Sequence, residues 1–218
     1  MKILYEDNHI IVAVKPAGVL SQSDGSGAED MLTLLKAYIK EKYNKPGDVF
    51  LGLVHRLDRP VEGVMVFART SKAASRLSQQ IREHTVRKYY YAVVEGHMPC
   101  RAGNLTGYIL KDEASNTVKV FDKPVSGAKK ASLSYEVMKE GTDKSLVRID
   151  LQTGRSHQIR SQLAHIGCPI VNDHKYGNGR GRGDIALICG EMEIDHPISK
   201  ERMSFKAGLP SDYPWHIS

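Results

Sequence analysis

From residue 87 to residue 151 the chain returns repeatedly to short runs of β-branched and aromatic residues, each closed by turn-forming residues. RKYYYAVVEG (87–96) is the clearest, and strand patterns follow near 104–110, 117–121, 131–139 and 145–151. A period of two sends alternate side chains to opposite faces of an extended chain. This part of the sequence can therefore bury its apolar residues only as a sheet. Helical spacing is kept in three places. Met31, Leu35, Tyr38 and Ile39 share one face of a first helix. A second covers 71–84, with Thr70 or Ser71 as cap and Ala73, Ala74, Leu77 and Ile81 inside. The third is SHQIRSQLAHIG (156–167), with Ser156 as N-cap and Gly167 just past its end. The N-terminal KILYEDNHIIVAVK reads as a hairpin around EDNH, ended by KPAG (15–18). A polar loop occupies 21–30, and 51–54 and 63–68 read as strands flanking an HRLDRP turn. No long linker, repeat or low-complexity tract interrupts the chain, so the reading is one strand-rich α+β domain over 1–218 with helices on its flanks.

Charge narrows the partners. Thirty-one Lys and Arg against 25 Asp and Glu give a net charge of +6. A mild basic excess favours an anionic partner, of which nucleic acid is the commonest. Cys100, Cys168 and Cys189 are far apart, odd in number and lack CxxC spacing, which excludes a disulfide framework or a zinc site as the organising feature. The N-terminus is broken by Glu6, Asp7, Asn8 and His9, too polar for a signal peptide. No run approaches the ~18 apolar residues of a membrane span. The expectation is a soluble, cytoplasmic protein with no membrane contact.

Three stretches could carry chemistry. In HRLDRP, an extended backbone points Arg56 and Asp58 the same way, with Arg59 and Pro60 next. A cation within ~4–6 Å would hold the carboxylate ionised at neutral pH, as a nucleophile or base needs. A surface ion pair is the plainer alternative. In RKYYYAVVEG, Lys88, Tyr90, Ala92 and Val94 share a face, which could floor a flat base or simply pack in a sheet. In TGRSHQIRSQLAHIG, Ile159, Leu163 and Ile166 form a buried stripe, while His157 and Arg160 fall on a neighbouring face. Arg155 adds a second guanidinium at the helix start, a setting suited to phosphate or carboxylate. His157, His165 and His174 show no paired-ligand spacing, so no metal site is assigned.

Taken in order, these stretches resemble an RluA-type pseudouridine synthase. The residues that carry the resemblance are YEDNHIIVAVKPAG (5–18), HRLDRPVEGVMVFART (55–70), VRKYYYAVVEG (86–96), GRSHQIRSQLAHIGCPIVNDHKYG (154–177) and DHPISKERMSF (195–205). The resemblance implies a mixed, mostly antiparallel sheet with flanking helices and a central catalytic cleft. It implies that Asp58 is the catalytic aspartate, that Tyr90 stacks on the target uracil, and that Arg160 pairs with Asp58. It implies isomerisation of uridine in ribosomal or transfer RNA, with no metal and no organic cofactor. The aspartate could attack the ribose anomeric carbon or remove a ribose proton, and the residues admit both. Arg56, Arg59, Lys88, Arg155, His157 and Lys175 are the expected substrate-binding residues.

This chain departs from the pattern in places. Val61-Glu62 follows HRLDRP where many relatives have a residue and then Thr or Ser. Ser161-Gln162 follows GRSHQIR, and Cys168 stands before Pro169. The chain starts almost at the first catalytic-domain strand, so an N-terminal RNA-binding module is not expected, and a monomer is the expected state. RNA grip would then fall to the KPVSGAKKAS loop (123–132), Lys72, Arg76, Arg82, Lys88, Lys175, Arg180 and Arg182. Two rivals belong to other classes. One is an idle RNA-binding protein, for which an intact HRLD and GRSHQIR are unneeded. The other is a glycosidase or nucleoside hydrolase, which asks for a second carboxylate at a set separation.

Overall fold

A computed structural model of the chain describes residues 1–178, 183–212 and 214–217. By their contacts these residues form two compact units, Met1–Arg87 with Cys189–Ala207, and Lys88–Ile188 with Gly208–Ser218. The elements make an α+β protein.

The first unit begins with β1 (Lys2–Glu6) and β2 (Ile10–Lys15), an antiparallel hairpin. Its turn is made by Asp7, whose carboxylate accepts the backbone N–H groups of His9 and Ile10, both at 2.7 Å. Every residue of β2 is buried, so this strand is the core of the unit and not an edge. Helix α1 (Met31–Lys42) starts where Asp30 accepts the Thr33 N–H, and it buries Met31, Leu35 and Ile39. The short β3 (Gly52–Leu53) and the long β4 (Glu62–Ala68) follow, both antiparallel in their described pairings. Helix α2 (Ser71–Arg82) is capped by Thr70 through the Ala73 N–H, buries Ala73 and Leu77, and packs against β3 and β4. Glu6 ties the first strand to α1 and to the end of β4. Its carboxylate accepts from Tyr38, Lys42, Tyr43 and Arg69.

The second unit carries β5 (Arg87–Glu95), β6 (Ala102–Asp112), β7 (Thr117–Phe121), β8 (Lys129–Glu140) and β9 (Lys144–Leu151). They lie side by side in the order β5-β9-β8-β6-β7, antiparallel throughout. The alternation of the sequence is kept: Ala131, Leu133, Tyr135 and Val137 of β8 point inward while their neighbours do not. Helix α3 (Gln158–His165) packs on β6 and β7.

The chain then runs into β10 (Leu187–Asp195), which pairs with β11 (Arg202–Lys206) to complete the first unit beside β4. The imidazole Nε2 of His196, just after β10, lies 2.9 Å from the Asp7 carboxylate. The EDNH turn and the DHP segment thus meet within one unit. No helix among the described residues is long and apolar enough to cross a membrane.

Several boundaries differ from the sequence reading; the second helix, read to 84, ends at Arg82. The strand expected at 51–54 holds ladder bonds only at 52–53. The third helix begins at Gln158, with His157 and not Ser156 at its N-cap. No side chain caps this helix; the Gln158 side chain instead points back and accepts the Arg155 N–H at 3.0 Å, tying the first helical residue to the turn before it. Gly167 does stand past the helix end, at φ 79°, with its N–H on the Ala164 carbonyl.

Candidate active site

HRLDRP is an irregular loop pinned on both sides of Asp58. His55 is buried and its Nε2 accepts the Val66 N–H at 3.1 Å, fastening the loop to β4. Leu57 enters the core, and its N–H and carbonyl both bond the Ser21 hydroxyl, at 3.0 and 2.8 Å. The burial alternates along His55, Arg56, Leu57 and Asp58 as an extended backbone requires. Arg56 is exposed and Asp58 half-buried, on the same side. The Asp58 carbonyl closes a turn by accepting the Val61 N–H at 3.0 Å. Arg59 reaches back to the KPAG segment. Its Nε donates to the Gly18 carbonyl, and its own carbonyl accepts the Gly18 N–H, both at 3.0 Å.

The residue that joins these two loops is Lys15, which sequence reasoning passed over as part of a turn signal. It is fully buried at the end of β2. Its ammonium donates to the carbonyls of Pro16 (3.0 Å), Val19 (2.7 Å) and Arg59 (3.0 Å). Three N–H donors meet three acceptors, which is what a buried ammonium requires. Burial pulls its pKa down to about 8, while the charges of Asp58 and Glu62 act in the opposite direction and Arg59 adds to the lowering. A buried cation thus faces the electrostatic field of Asp58 alongside the exposed arginines.

Gly63 follows at φ 141°, and a Cβ there would lie 2.5 Å from the backbone N and O of Cys189. Only glycine lets β4 pass that close to β10.

In the second unit, β5 holds Tyr90 buried and opposite Ile149 of β9, on the same face as Ala92 and Val94. Lys88 is half-buried on that strand. The start of α3 gathers Arg155, His157 and Arg160. Arg155 is exposed and its Nε donates to the Lys130 carbonyl at 3.0 Å, fixing it to the root of β8. His157 adopts the left-handed conformation, φ 51°, and its Nδ1 lies 2.7 Å from the Tyr176 hydroxyl. Arg160 is buried, and its Nε and Nη2 bond the two oxygens of Asp173 at 2.8 and 2.7 Å. Lys175 is exposed, with its ammonium 2.8 Å from the Asn116 carbonyl.

Other expected RNA contacts are mixed in character. Lys72, Arg82, Lys129 and Lys130 are exposed, whereas Arg76 donates to the Pro197 carbonyl at 2.7 Å. Arg180 and Arg182 lie outside the described residues. Asp173 and Tyr176 were missed as site residues. The signal was present, since both sit in the NDHKYG segment that carries part of the resemblance.

The sequence profile described as RNA pseudouridylate synthase matches residues 9–165. An uncharacterized RNA pseudouridine synthase of Bacillus subtilis is 33% identical over 216 residues, spanning 97% of this chain and 70% of that protein. Ribosomal large subunit pseudouridine synthase C of Vibrio cholerae is 32% identical, over 95% of this chain and 65% of its own length. A tRNA pseudouridine synthase C of Yersinia pestis is 28% identical, over 99% of this chain and 91% of its own. Among solved structures, human RNA pseudouridylate synthase domain containing 4 superposes with a TM-score of 0.81 at 22% identity, covering 96% of this chain and 89% of that one, which gives the fold. With a profile match over well above half its length and a relative one-third identical along nearly all of it, the chain belongs to the RNA pseudouridylate synthase family.

Proposed function

We propose that this protein isomerises uridine to pseudouridine within ribosomal or transfer RNA, acting as a single monomeric catalytic domain of the cytoplasm. Asp58 supplies the reacting carboxylate, Tyr90 the ring against the uracil, and Arg160 the guanidinium. Arg56, Arg59, Lys88, Arg155, His157 and Lys175 hold the RNA. The reading is supported above all by the loop around Asp58. Residues on both sides of this acid are locked into the core or to a neighbouring loop, while its own side chain stays half-exposed beside exposed arginines. Such pre-organisation suits a group that must meet a substrate in one geometry.

The chemistry breaks the bond from ribose C1′ to uracil N1, turns the base, and joins C1′ to C5. The hydrogen on C5 leaves as a proton and N1 takes one up, so the product is an isomer of the substrate. The carboxylate serves either by attacking C1′ or by taking a ribose proton, and both leave the base free to turn. A target uridine must first be drawn out of its stack, at a few kcal/mol, which contact with the Tyr90 ring offsets.

The test is release of tritium from ribosomal and transfer RNA labelled at C5 of uridine. Wild type releases tritium from one of these pools, and Asp58→Asn lowers release by at least about a thousandfold, the scale of a lost covalent or basic group. No release from either pool by wild type would favour an idle RNA binder. Release surviving Asp58→Asn would remove Asp58 from the chemistry.

A further inference from the structure

Helix α3 is buried nearly all round, and Arg160 is its one buried charge. Asp173 meets it side-on, one carboxylate oxygen to Nε and the other to Nη2. The Asp173 side chain is itself completely buried. Its Oδ1 also accepts the backbone N–H groups of Lys175 (2.9 Å) and Tyr176 (3.2 Å). Burial alone would raise the Asp173 pKa. The bonds and charge of Arg160, with the two backbone donors, hold it below the ordinary carboxylate value instead. Asp173 is therefore an acceptor through and through, and no proton donor.

Tyr176 closes the other side. Its ring centroid lies 5.2 Å from the Arg160 guanidinium carbon. Its hydroxyl oxygen accepts the Val118 N–H at 2.9 Å and lies 2.7 Å from Nδ1 of His157. The ring body packs on the cluster of Ile109, Val118 and Ala131. The turn that presents both residues is tight. The Gly177 N–H bonds the Asp173 carbonyl at 2.8 Å, and a Cβ at 177 would sit 2.7 Å from that oxygen.

A buried ion pair gives a fold little that well-packed apolar side chains would not. What it does give is direction. A guanidinium is a planar fork of five N–H groups. Asp173 claims the Nε–Nη2 edge, so it decides which remaining edge Arg160 turns outward. We infer that Asp173 and the Tyr176 ring are positioning residues that fix the orientation of Arg160 for the isomerisation.

The inference rests on the uridine-isomerase reading, and wild-type tritium release tests that reading separately. In an active preparation, single-turnover release and RNA affinity are measured for Asp173→Asn, Arg160→Lys and the double variant, with thermal melting as a check on folding. Asp173→Asn lowers the single-turnover rate about a hundredfold, the scale of a misdirected group, with RNA affinity within about threefold of wild type. The double variant is no slower than Arg160→Lys alone, because the two side chains act as one unit. A rate for Asp173→Asn within about twofold of wild type overturns the inference, as does an equal loss of rate and affinity, or losses that multiply in the double variant. Should Asp173→Asn fail to fold, Tyr176→Leu decides. Set against Tyr176→Phe, which loses the same hydroxyl but keeps the ring, it removes the flat face, and a rate about tenfold below that of Tyr176→Phe at equal RNA affinity is expected. Equal rates for these two variants overturn the inference.

Discussion

Lys15 illustrates what a single residue can do and why it is hard to read. In the sequence it ends an apolar strand and opens KPAG, where a solvated lysine before a turn is the ordinary meaning. Nothing in the period of the strand says that Val19 and Arg59 will bring their carbonyls to its ammonium. The alternation of burial along HRLDRP, by contrast, was legible, because it follows from an extended backbone. The depressed pKa of Lys15 has a signed consequence. The folded protein releases this proton at about 8, the unfolded chain at the usual 10.5. Between those values the unfolded chain binds more protons, so the contribution of Lys15 to stability rises with pH through that window. Below pH 8 the cost of burying the charge is fully present. Urea unfolding across that window should therefore show wild type gaining roughly 1–3 kcal/mol relative to Lys15→Met. Parallel pH curves for the two proteins would count against a buried, charged Lys15.

Among the elements, strands were read more surely than helix ends. Period-two patterning places Tyr90, Ala92 and Val94 on one face whatever the partner strand, and β5 keeps that parity. The start of α3 carries no side-chain cap. Ser156 fits the propensity rule, but Gln158 reaches back to Arg155 and donates to the Ser132 carbonyl at 3.0 Å, a tertiary contact that no local rule contains. The β4–β10 approach is the opposite case. Gly63 belongs to a recognisable signature, yet its reason appears only when Cys189 is seen against it. Gly63→Ala should destabilise the protein by about 3 kcal/mol or more, since backbone atoms cannot yield as a flexible side chain would. The denaturant midpoint measures this, and a shift worth under about 1 kcal/mol would show that the strands can part.

At the scale of the molecule, the basic excess and the order of the motifs were legible from residues alone, because both survive any detail of packing. The Arg160–Asp173 pair was not, since it needs a helix and a later loop to be folded together. The charge leads to a further expectation. Binding of single-stranded RNA should weaken with salt in proportion to the phosphates engaged. Replacing Lys129 and Lys130 by alanine should lower the magnitude of the slope of log affinity against log salt by about 1.4. An unchanged slope would take these two side chains out of the RNA contact.

The division of the chain also sets an order of events during synthesis. The strand that lies against Gly63 is β10, and the first unit resumes within it at Cys189, after the whole run from Lys88 to Ile188 has been made. Until then a ribosome-bound chain carries β4 with its β10 neighbour still unmade. The loop that bears Asp58 leads straight into β4, so in the nascent protein the strand behind this loop lacks one neighbour until β10 has been translated.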